Sequence, residues 1–309
     1  MKIFISADIE GIAGVMRPEQ CSPGHAEYQL ARGLMEQEVN AAIEGAFAGG
    51  ATEVVVADSH AQMTNLRAEN IDPRARLVQG KPRGLSMVEG LQQQTYGGNE
   101  GSHAQQPCDG TSEKNKQQAF DGTSENNQQQ AFDGMMFVGF HSAAGERGVL
   151  AHTINGRAFY RVKINGEVVG ESDIYAAAGA ELNSPLWLVT GDDTLQQWIG
   201  EHYPSVDYVC VKRAISNTAA ESLSPEAARS AIRQAAEQAV KRARKIETTR
   251  ISAPYRLELM VAKPVLGDLF CLIPGVERLD AITIGYTAQT MATIVSLLSA
   301  FSYLASTQN

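Results

Sequence analysis

Three short apolar runs, each followed at once by acidic or imidazole side chains, constrain the fold of this chain more than any other feature. The runs are residues 3–7, 54–57 and 136–140. The polar side chains that follow them are Asp8, Glu10, Asp58, His60 and His141. Continuous apolar runs of this length are typical of strands covered on both faces in a parallel sheet. Because the carboxyl ends of parallel strands converge on one sheet edge, where ligands bind, we expect these side chains to meet there.

The segment between the first two runs indicates how the strands are connected. Residues 26–47 carry apolar side chains at helical spacing, Gly49 and Gly50 end that pattern, and residues 53–60 are typical of a strand. A crossover of this length between two strands forms a βαβ unit and therefore a parallel sheet. The predicted fold class is α/β: a three-layer α/β/α domain with a mainly parallel sheet, plus a smaller α+β second domain.

A length of 309 residues accommodates two domains. We predict a metal-binding α/β domain at residues 1–190 and a C-terminal α+β domain at residues 191–309. In the second half, the dipeptide Asn165–Gly166 between alternating runs predicts a β-hairpin. Ser224 followed by Pro225 predicts the start of a helix.

A composition-biased segment interrupts the predicted first domain at about residues 92–133. It is rich in Gln, Asn, Gly, Ser and Thr, and residues 109–120 are nearly repeated as residues 121–132. Two copies of a short unit with few apolar side chains are insufficient for a repeat fold. We interpret the segment as a low-complexity insertion that forms a long mobile loop.

Composition excludes several classes of protein. The net charge of -9 argues against general binding to nucleic acid or to anionic membranes. No stretch approaches the roughly 20 apolar residues of a membrane span, and the early Asp8 interrupts any signal-peptide pattern. The four cysteines are widely spaced and form no C-x-x-C pair, so we expect neither a thiolate zinc site nor a disulfide framework. A reduced, cytoplasmic location is expected.

The polar residues at the strand ends suit a metal-centred hydrolase. Alternation along a strand directs Asp8 and Glu10 to one face, and likewise Asp58 and His60. A carboxylate bridges two cations through its two oxygens, and Asp58 is a candidate carboxylate partner that orients the His60 ring. The alternative interpretation of each motif is a solvated strand end that binds no metal.

Two further histidine and acidic positions extend this set. His141 and His152 would divide metal ligation from proton transfer or nucleophilic attack. Glu171, just after a predicted hairpin, offers another carboxylate.

Eight short motifs, taken in order along nearly the whole chain, resemble the M55 family of zinc-dependent D-aminopeptidases, the DppA-type proteins named for dipeptide-permease operons. The motifs are Asp8-Ile9-Glu10-Gly11, Asp58-Ser59-His60, residues 86–90, Gly139-Phe140-His141, His152-Thr153, Gly170-Glu171, Gly191-Asp192-Asp193 and Leu223-Ser224-Pro225. The resemblance implies two Zn2+ per subunit, with Asp8 shared between the ions, and a homo-oligomer that is a decamer in the type member. The ligands that it implies are Asp8, Glu10, His60, His141 and Glu171. It also implies that His152 is the catalytic nucleophile or base. The insertion at about residues 92–133 departs from the family pattern.

The function predicted from these residues and this resemblance is hydrolysis of short peptides that begin with a D-amino acid, with D-Ala-D-Ala-like peptides as the substrate class. Two alternatives stay open at this point. A two-metal phosphoesterase uses similar Asp and His strand ends. A non-catalytic dipeptide-binding protein associated with a transporter would hold the metals as structural ions only.

Overall fold

The computed structural model describes residues 1–92, 131–243 and 250–308. The predicted insertion at about residues 92–133 therefore lies almost wholly outside the described residues, as does Cys108. The three described cysteines, Cys21, Cys210 and Cys271, are free thiols. Among the described residues, no helix combines the length and apolar character needed to cross a bilayer.

Strands and helices alternate along most of the chain. The strands are β1 (Lys2–Ala7), β2 (Glu53–Asp58), β3 (Ala75–Val78), β4 (Gly134–Val138), β5 (Phe159–Ile164), β6 (Glu167–Val168), β7 (Leu186–Asp192), β8 (Asp207–Ser216), β9 (Ala219–Ser222), β10 (Tyr255–Val261), β11 (Glu277–Arg278) and β12 (Thr283–Ala288). The helices are α1 (Pro18–Cys21), α2 (Ala26–Ala48), α3 (Glu171–Glu181), α4 (Asp193–His202), α5 (Pro225–Arg242), α6 (Pro264–Phe270) and α7 (Met291–Ala305).

The larger sheet has the strand order β3-β2-β1-β4-β7-β8-β9. Every neighbouring pair is parallel except β8 and β9. Side chains of α2 and α5 pack on one face of this sheet, whereas α3, α4 and α7 share a core with the other face. The α/β class with a three-layer, mainly parallel sheet is therefore confirmed.

The smaller sheet is antiparallel and has the order β11-β12-β10-β5-β6. It packs with α6 and α7, which confirms the predicted α+β unit. The hairpin at Asn165–Gly166 joins β5 to β6, and both turn residues have positive φ. The division at residue 190 stays a prediction, although each sheet takes strands from both sides of that position.

The chain changes direction across the larger sheet next to β1. From β1 it continues to β2 and β3 on one side, and then returns to place β4 on the other side. Such a switch point opens a crevice at the carboxyl ends of the two central strands. The loops that follow β1, β2 and β4 all start at this edge.

Two glycines let the loops after β1 and β4 approach each other closely. The Gly11 N–H donates to the Gly139 carbonyl at 2.7 Å, and a Cβ on Gly11 would lie 2.1 Å from the Phe140 oxygen. Gly139 has a φ of +75°, and a Cβ there would lie 2.2 Å from the Asp8 oxygen. Only glycine satisfies both requirements at Gly139.

Buried charged side chains hold the loop after β1 from below. The Lys212 ammonium on β8 donates to the carbonyls of Glu10, Ile12 and Val15 within 3.0 Å. Glu38 on α2 accepts the Ala13 N–H at 2.9 Å. Because an ammonium has three donors and no acceptor, Lys212 satisfies three carbonyls that the turn leaves without strand partners.

Glu38 gives the fold a pH dependence that can be measured. Burial raises the pKa of Glu38 to about 7. Its protonated form therefore stabilises the fold below about pH 4.3, and that contribution is lost as the pH rises through about 7. We expect the stability of wild type relative to Glu38→Gln to fall by about 3 kcal/mol between pH 4 and pH 8. Denaturant unfolding of both proteins at one protein concentration measures it, and identical pH profiles would contradict it.

Candidate metal centre

The candidate ligands lie in the loops just beyond three central strands. Asp8 directly follows β1, Glu10 lies in the turn after it, His60 is two residues beyond β2, and His141 is three residues beyond β4. The expectation that strand alternation orients Asp8 and Glu10 is wrong, because β1 ends at Ala7. Loop conformation orients these side chains instead.

These loops gather two adjacent groups of ligand atoms. Asp8, Glu10 and His60 form one group, and within it the ligand atoms all lie within 4.8 Å of one another. His141, His152 and Glu171 form the second group by the same measure. The fold therefore brings together all five predicted ligands and the predicted catalytic histidine.

Asp8 lies between the two groups. Its Oδ1 is 3.3 Å from His60 Nδ1, and its Oδ2 is 3.3 Å from His141 Nε2. Glu10 Oε2 lies 2.9 Å from the same His60 nitrogen, and Glu171 Oε1 lies 3.7 Å from the same His141 nitrogen. Each oxygen of Asp8 thus faces a different imidazole, and each of these imidazoles also faces a second carboxylate.

Backbone carbonyls fix the orientation of all three imidazoles. His60 Nε2 lies 2.7 Å from the Cys21 oxygen, His141 Nδ1 lies 3.0 Å from the Ser142 oxygen, and His152 Nδ1 lies 2.9 Å from the Leu150 oxygen. A carbonyl only accepts, so the nitrogen facing it carries the proton. The other nitrogen of each ring is then free to bind a cation or take up a proton.

Asp58 contributes to the site through its loop and not through the His60 ring. Its carboxylate accepts the N–H groups of Asn65 and Leu66, and the Asn65 side chain also donates to the His60 carbonyl at 2.7 Å. The partner of the His60 ring is the Cys21 carbonyl. Asp58 therefore shapes the turn that carries His60, and its predicted direct contact with the ring is replaced by a backbone contact.

Glu171 is the first residue of α3 and is buried. The positive end of the helix dipole favours a carboxylate at this position. The Ile154 N–H donates to Glu171 Oε1 at 2.5 Å, and His152 Nε2 lies 4.0 Å from the same oxygen. The His152 side chain is 25% exposed, whereas those of His141 and Glu171 are 1% and 4% exposed. His152 is therefore the member of its group that faces the open side.

The buried charges influence one another strongly. Burial alone would raise the pKa of Asp8, but the adjacent His141 and His60 imidazoles hold it well below its usual value. Burial alone would lower the pKa of His141, but the Glu171 and Asp8 carboxylates raise it to about 10. Burial raises the pKa of Glu171. Positive charge is thus strongly favoured at this point of the molecule, and a divalent cation supplies it as well as protonated imidazoles do.

The donor set and its spacing fit zinc. The nitrogen–oxygen separations around Asp8 run from 2.9 to 3.7 Å. Two ligand atoms each roughly 2.0–2.1 Å from one tetrahedral ion are about 3.3 Å apart. Among the described residues, Glu10 Oε2 and His141 Nε2 are buried without a hydrogen-bond partner. A cation in each of the two groups would satisfy these atoms, and imidazole with carboxylate is a donor set that zinc accepts.

Sequence reasoning missed the groups that support the ligands. Four of these groups are backbone atoms, which every residue type offers, so the residue types at these positions gave no indication of the role. They are the carbonyls of Cys21, Ser142 and Leu150 and the Ile154 N–H. Lys212 could have been identified from the sequence, because a lysine directly after the apolar run 209–211 is unusual unless its ammonium is hydrogen-bonded.

Comparisons with known proteins agree with this geometry. The sequence profile of the M55 peptidase family, described as D-aminopeptidase, matches residues 1–108 and 125–300. A Bacillus subtilis protein described as D-aminopeptidase is 32% identical over 230 residues, which span 74% of this chain and 69% of the relative.

A solved structure, the Zn-dependent D-aminopeptidase DppA from Bacillus subtilis, described as a self-compartmentalizing protease, superimposes with a TM-score of 0.83. It is 27% identical and covers 99% of this chain and 98% of its own. The chain therefore belongs to the M55 family of D-aminopeptidases.

Proposed function

We propose that this protein is a zinc-dependent aminopeptidase that removes the N-terminal residue from short peptides beginning with a D-amino acid. The observation that carries the proposal is the position of Asp8, whose two oxygens face two separate sets of donors. Asp8, Glu10 and His60 would hold one zinc ion, and Asp8, His141 and Glu171 the other. Membership of a peptidase family supports the peptidase chemistry, and the relatives, which are D-aminopeptidases, support the D configuration of the substrate.

The geometry supports a division of labour between the ions and His152. Bound zinc polarises a carbonyl and lowers the pKa of water toward about 7. His152 directs its Nδ1 to the Leu150 carbonyl, which leaves Nε2 as the nitrogen available to the reaction, and its side chain is the most exposed of its group. In one route, Nε2 accepts a proton from the attacking water and passes it to the amine that leaves as the C–N bond breaks. In the other, Nε2 attacks the carbonyl carbon, the C–N bond breaks and the amine leaves with a proton from solvent, and water then hydrolyses the acyl-imidazole to free the amino acid and His152.

The two alternative functions have less support. Phosphoesterase activity has no counterpart in the descriptions of the relatives, which are peptidases. A purely structural role for zinc would require ligands that close each ion, whereas five ligands for two ions leave positions for water and substrate.

We further propose a homo-oligomeric, cytoplasmic enzyme. The solved relative is described as self-compartmentalizing, a term for proteases whose subunits enclose their active sites. The family resemblance implies a decamer, and closed symmetric assemblies of one chain are common among soluble oligomers. Sites that face an enclosed space would admit short peptides and exclude folded proteins.

The proposed reaction can be tested directly. We expect the zinc-loaded protein to release D-alanine from D-alanyl amide and from D-Ala-D-Ala, with much slower release of L-alanine from L-alanyl amide. Product analysis with each substrate, beside a panel of phosphate monoesters, measures the preference. Cleavage of the phosphate esters alone would identify a phosphoesterase, and tight dipeptide binding without turnover would identify a binding protein.

The second prediction separates metal binding from catalysis. We expect His152→Ala to retain its zinc while kcat falls by about 10²- to 10⁴-fold, because only proton transfer or attack is removed. We expect His60→Ala to lose bound zinc. Elemental analysis beside peptide assays measures both effects, and the exposed His25→Ala serves as the matched control. Loss of zinc from His152→Ala would reassign that residue as a ligand.

The third prediction concerns assembly. Light scattering of the purified protein is expected to give a mass ten times the 33.3 kDa of one chain. A mass of one chain at working concentration would refute the self-enclosed arrangement without affecting the metal site.

A further inference from the structure

A small cavity adjoins the metal centre on the side of α7. Met63 and Ile154 line it together with Lys81, Arg83 and Tyr303. Serine hydroxyls complete the lining. The cavity therefore combines a short apolar wall with two cationic side chains, a combination that suits a small anionic group.

Three hydrogen bonds connect the lining of the cavity to the metal centre. The Met63 N–H donates to the His60 carbonyl at 2.7 Å, and the Ile154 N–H donates to Glu171 Oε1 at 2.5 Å. Arg83 Nη1 donates to the Asp58 carbonyl at 2.9 Å. Two lining residues are therefore hydrogen-bonded directly to the candidate ligands His60 and Glu171, and Arg83 is hydrogen-bonded to the end of β2, two residues before His60.

Arg83 directs two unused donors into this region. Its Nε and Nη2 are buried and have no hydrogen-bond partner among the described residues. These two nitrogens lie on one edge of the guanidinium plane and form the fork that binds a carboxylate through two parallel hydrogen bonds. Nη1 is already held by the Asp58 carbonyl, so the orientation of the fork is fixed before any ligand arrives.

Lys81 supplies a second positive charge. Its ammonium lies 5.6 Å from the centre of the Tyr303 ring, a distance at which a cation and a ring attract each other. The segment that carries both cations is attached to α7, because the Ser296 hydroxyl donates to the Gly84 carbonyl at 2.8 Å. Lys81 and Arg83 are therefore held against the same wall of the cavity.

A buried guanidinium with unused donors costs free energy until an anion satisfies it. We propose that Arg83, assisted by Lys81, binds the C-terminal carboxylate of the peptide substrate. This inference rests on the proposed aminopeptidase function and specifies its substrate class. Because Arg83 is hydrogen-bonded to the segment that leads into His60, we expect the anchor to select short peptides, whose free carboxylate lies within a few residues of the cleaved bond.

The test compares a dipeptide with its matched neutral form. We expect wild-type enzyme to prefer D-Ala-D-Ala over D-Ala-D-Ala amide by roughly 10- to 100-fold in kcat/KM, the usual effect of hydrogen bonds to a charged group. Arg83→Met should lower kcat/KM for the acid only and so abolish the preference. Lys81→Met, at an exposed position, should reduce the preference in part. Arg76→Met, which removes an exposed arginine on β3, is the charge-matched control and should leave the preference unchanged.

Three results would overturn the assignment. Equal use of the acid and the amide by wild type would show that no carboxylate is recognised. An equal loss of both activities in Arg83→Met would show that Arg83 only supports the Asp58 loop. An undiminished preference in both variants would place the anchor elsewhere.

Direct binding keeps this test separate from the proposed reaction. Calorimetry with a dipeptide analogue in which a methyleneamine replaces the scissile amide, and with its carboxamide counterpart, measures the carboxylate contribution without turnover. If neither peptide is cleaved, the proposed function fails, while tighter binding of the acid by wild type and not by Arg83→Met still supports the anion site. Equal binding of both analogues by wild type would refute the site.

Discussion

The contact between two backbone segments at the centre of the larger sheet determines the arrangement of everything around it. The loops after β1 and β4 touch through Gly11 and Gly139, where any side chain would collide with the opposite backbone. These strands are neighbours at the switch point of the sheet, so the contact closes the base of the crevice that opens there. Asp8 and His141 lie on either side of this contact. The distance between the two candidate ion positions therefore depends on backbone packing more than on flexible side chains.

Buried charge is the second constraint, and the molecule balances it with fixed partners. Carboxylates and imidazoles in a dry pocket are costly unless each is hydrogen-bonded or paired. The three imidazoles each direct one nitrogen to a backbone carbonyl, which leaves the second nitrogen available on the carboxylate side. Lys212 lies beneath the same loop, and its ammonium donates hydrogen bonds to backbone carbonyls, not to carboxylates. It therefore stabilises the turn that carries Glu10 without competing with a metal ion for the carboxylate oxygens.

Sequence reasoning identified much of the fold and the chemistry, and its failures have physical causes. The helix predicted at residues 26–47 is observed as α2, and the Ser224 hydroxyl caps α5 as predicted, because spacing and capping are local properties. The five predicted ligands and His152 do come together, because the strand order brings the loops after β1, β2 and β4 to one sheet edge, where His152 and Glu171 also lie. Their orientation was not predictable from alternation, since it depends on turns beyond the strand ends. Arg83 was missed because its significance depends on unused donors, which only the folded arrangement reveals.

One loop connects metal binding to the position of the catalytic side chain. His152 and Ile154 belong to the same short segment, and the Ile154 N–H donates to the Glu171 oxygen that also faces His141. Asn155 in this segment donates to the Ser302 hydroxyl of α7 at 3.1 Å, so the loop is also attached to the helix that borders the anion cavity. The position of this segment therefore depends on the Glu171 carboxylate through Ile154 and on α7 through the adjacent Asn155. The His152 imidazole is consequently carried by a loop that contacts both a candidate metal ligand and the helix bordering the proposed carboxylate anchor.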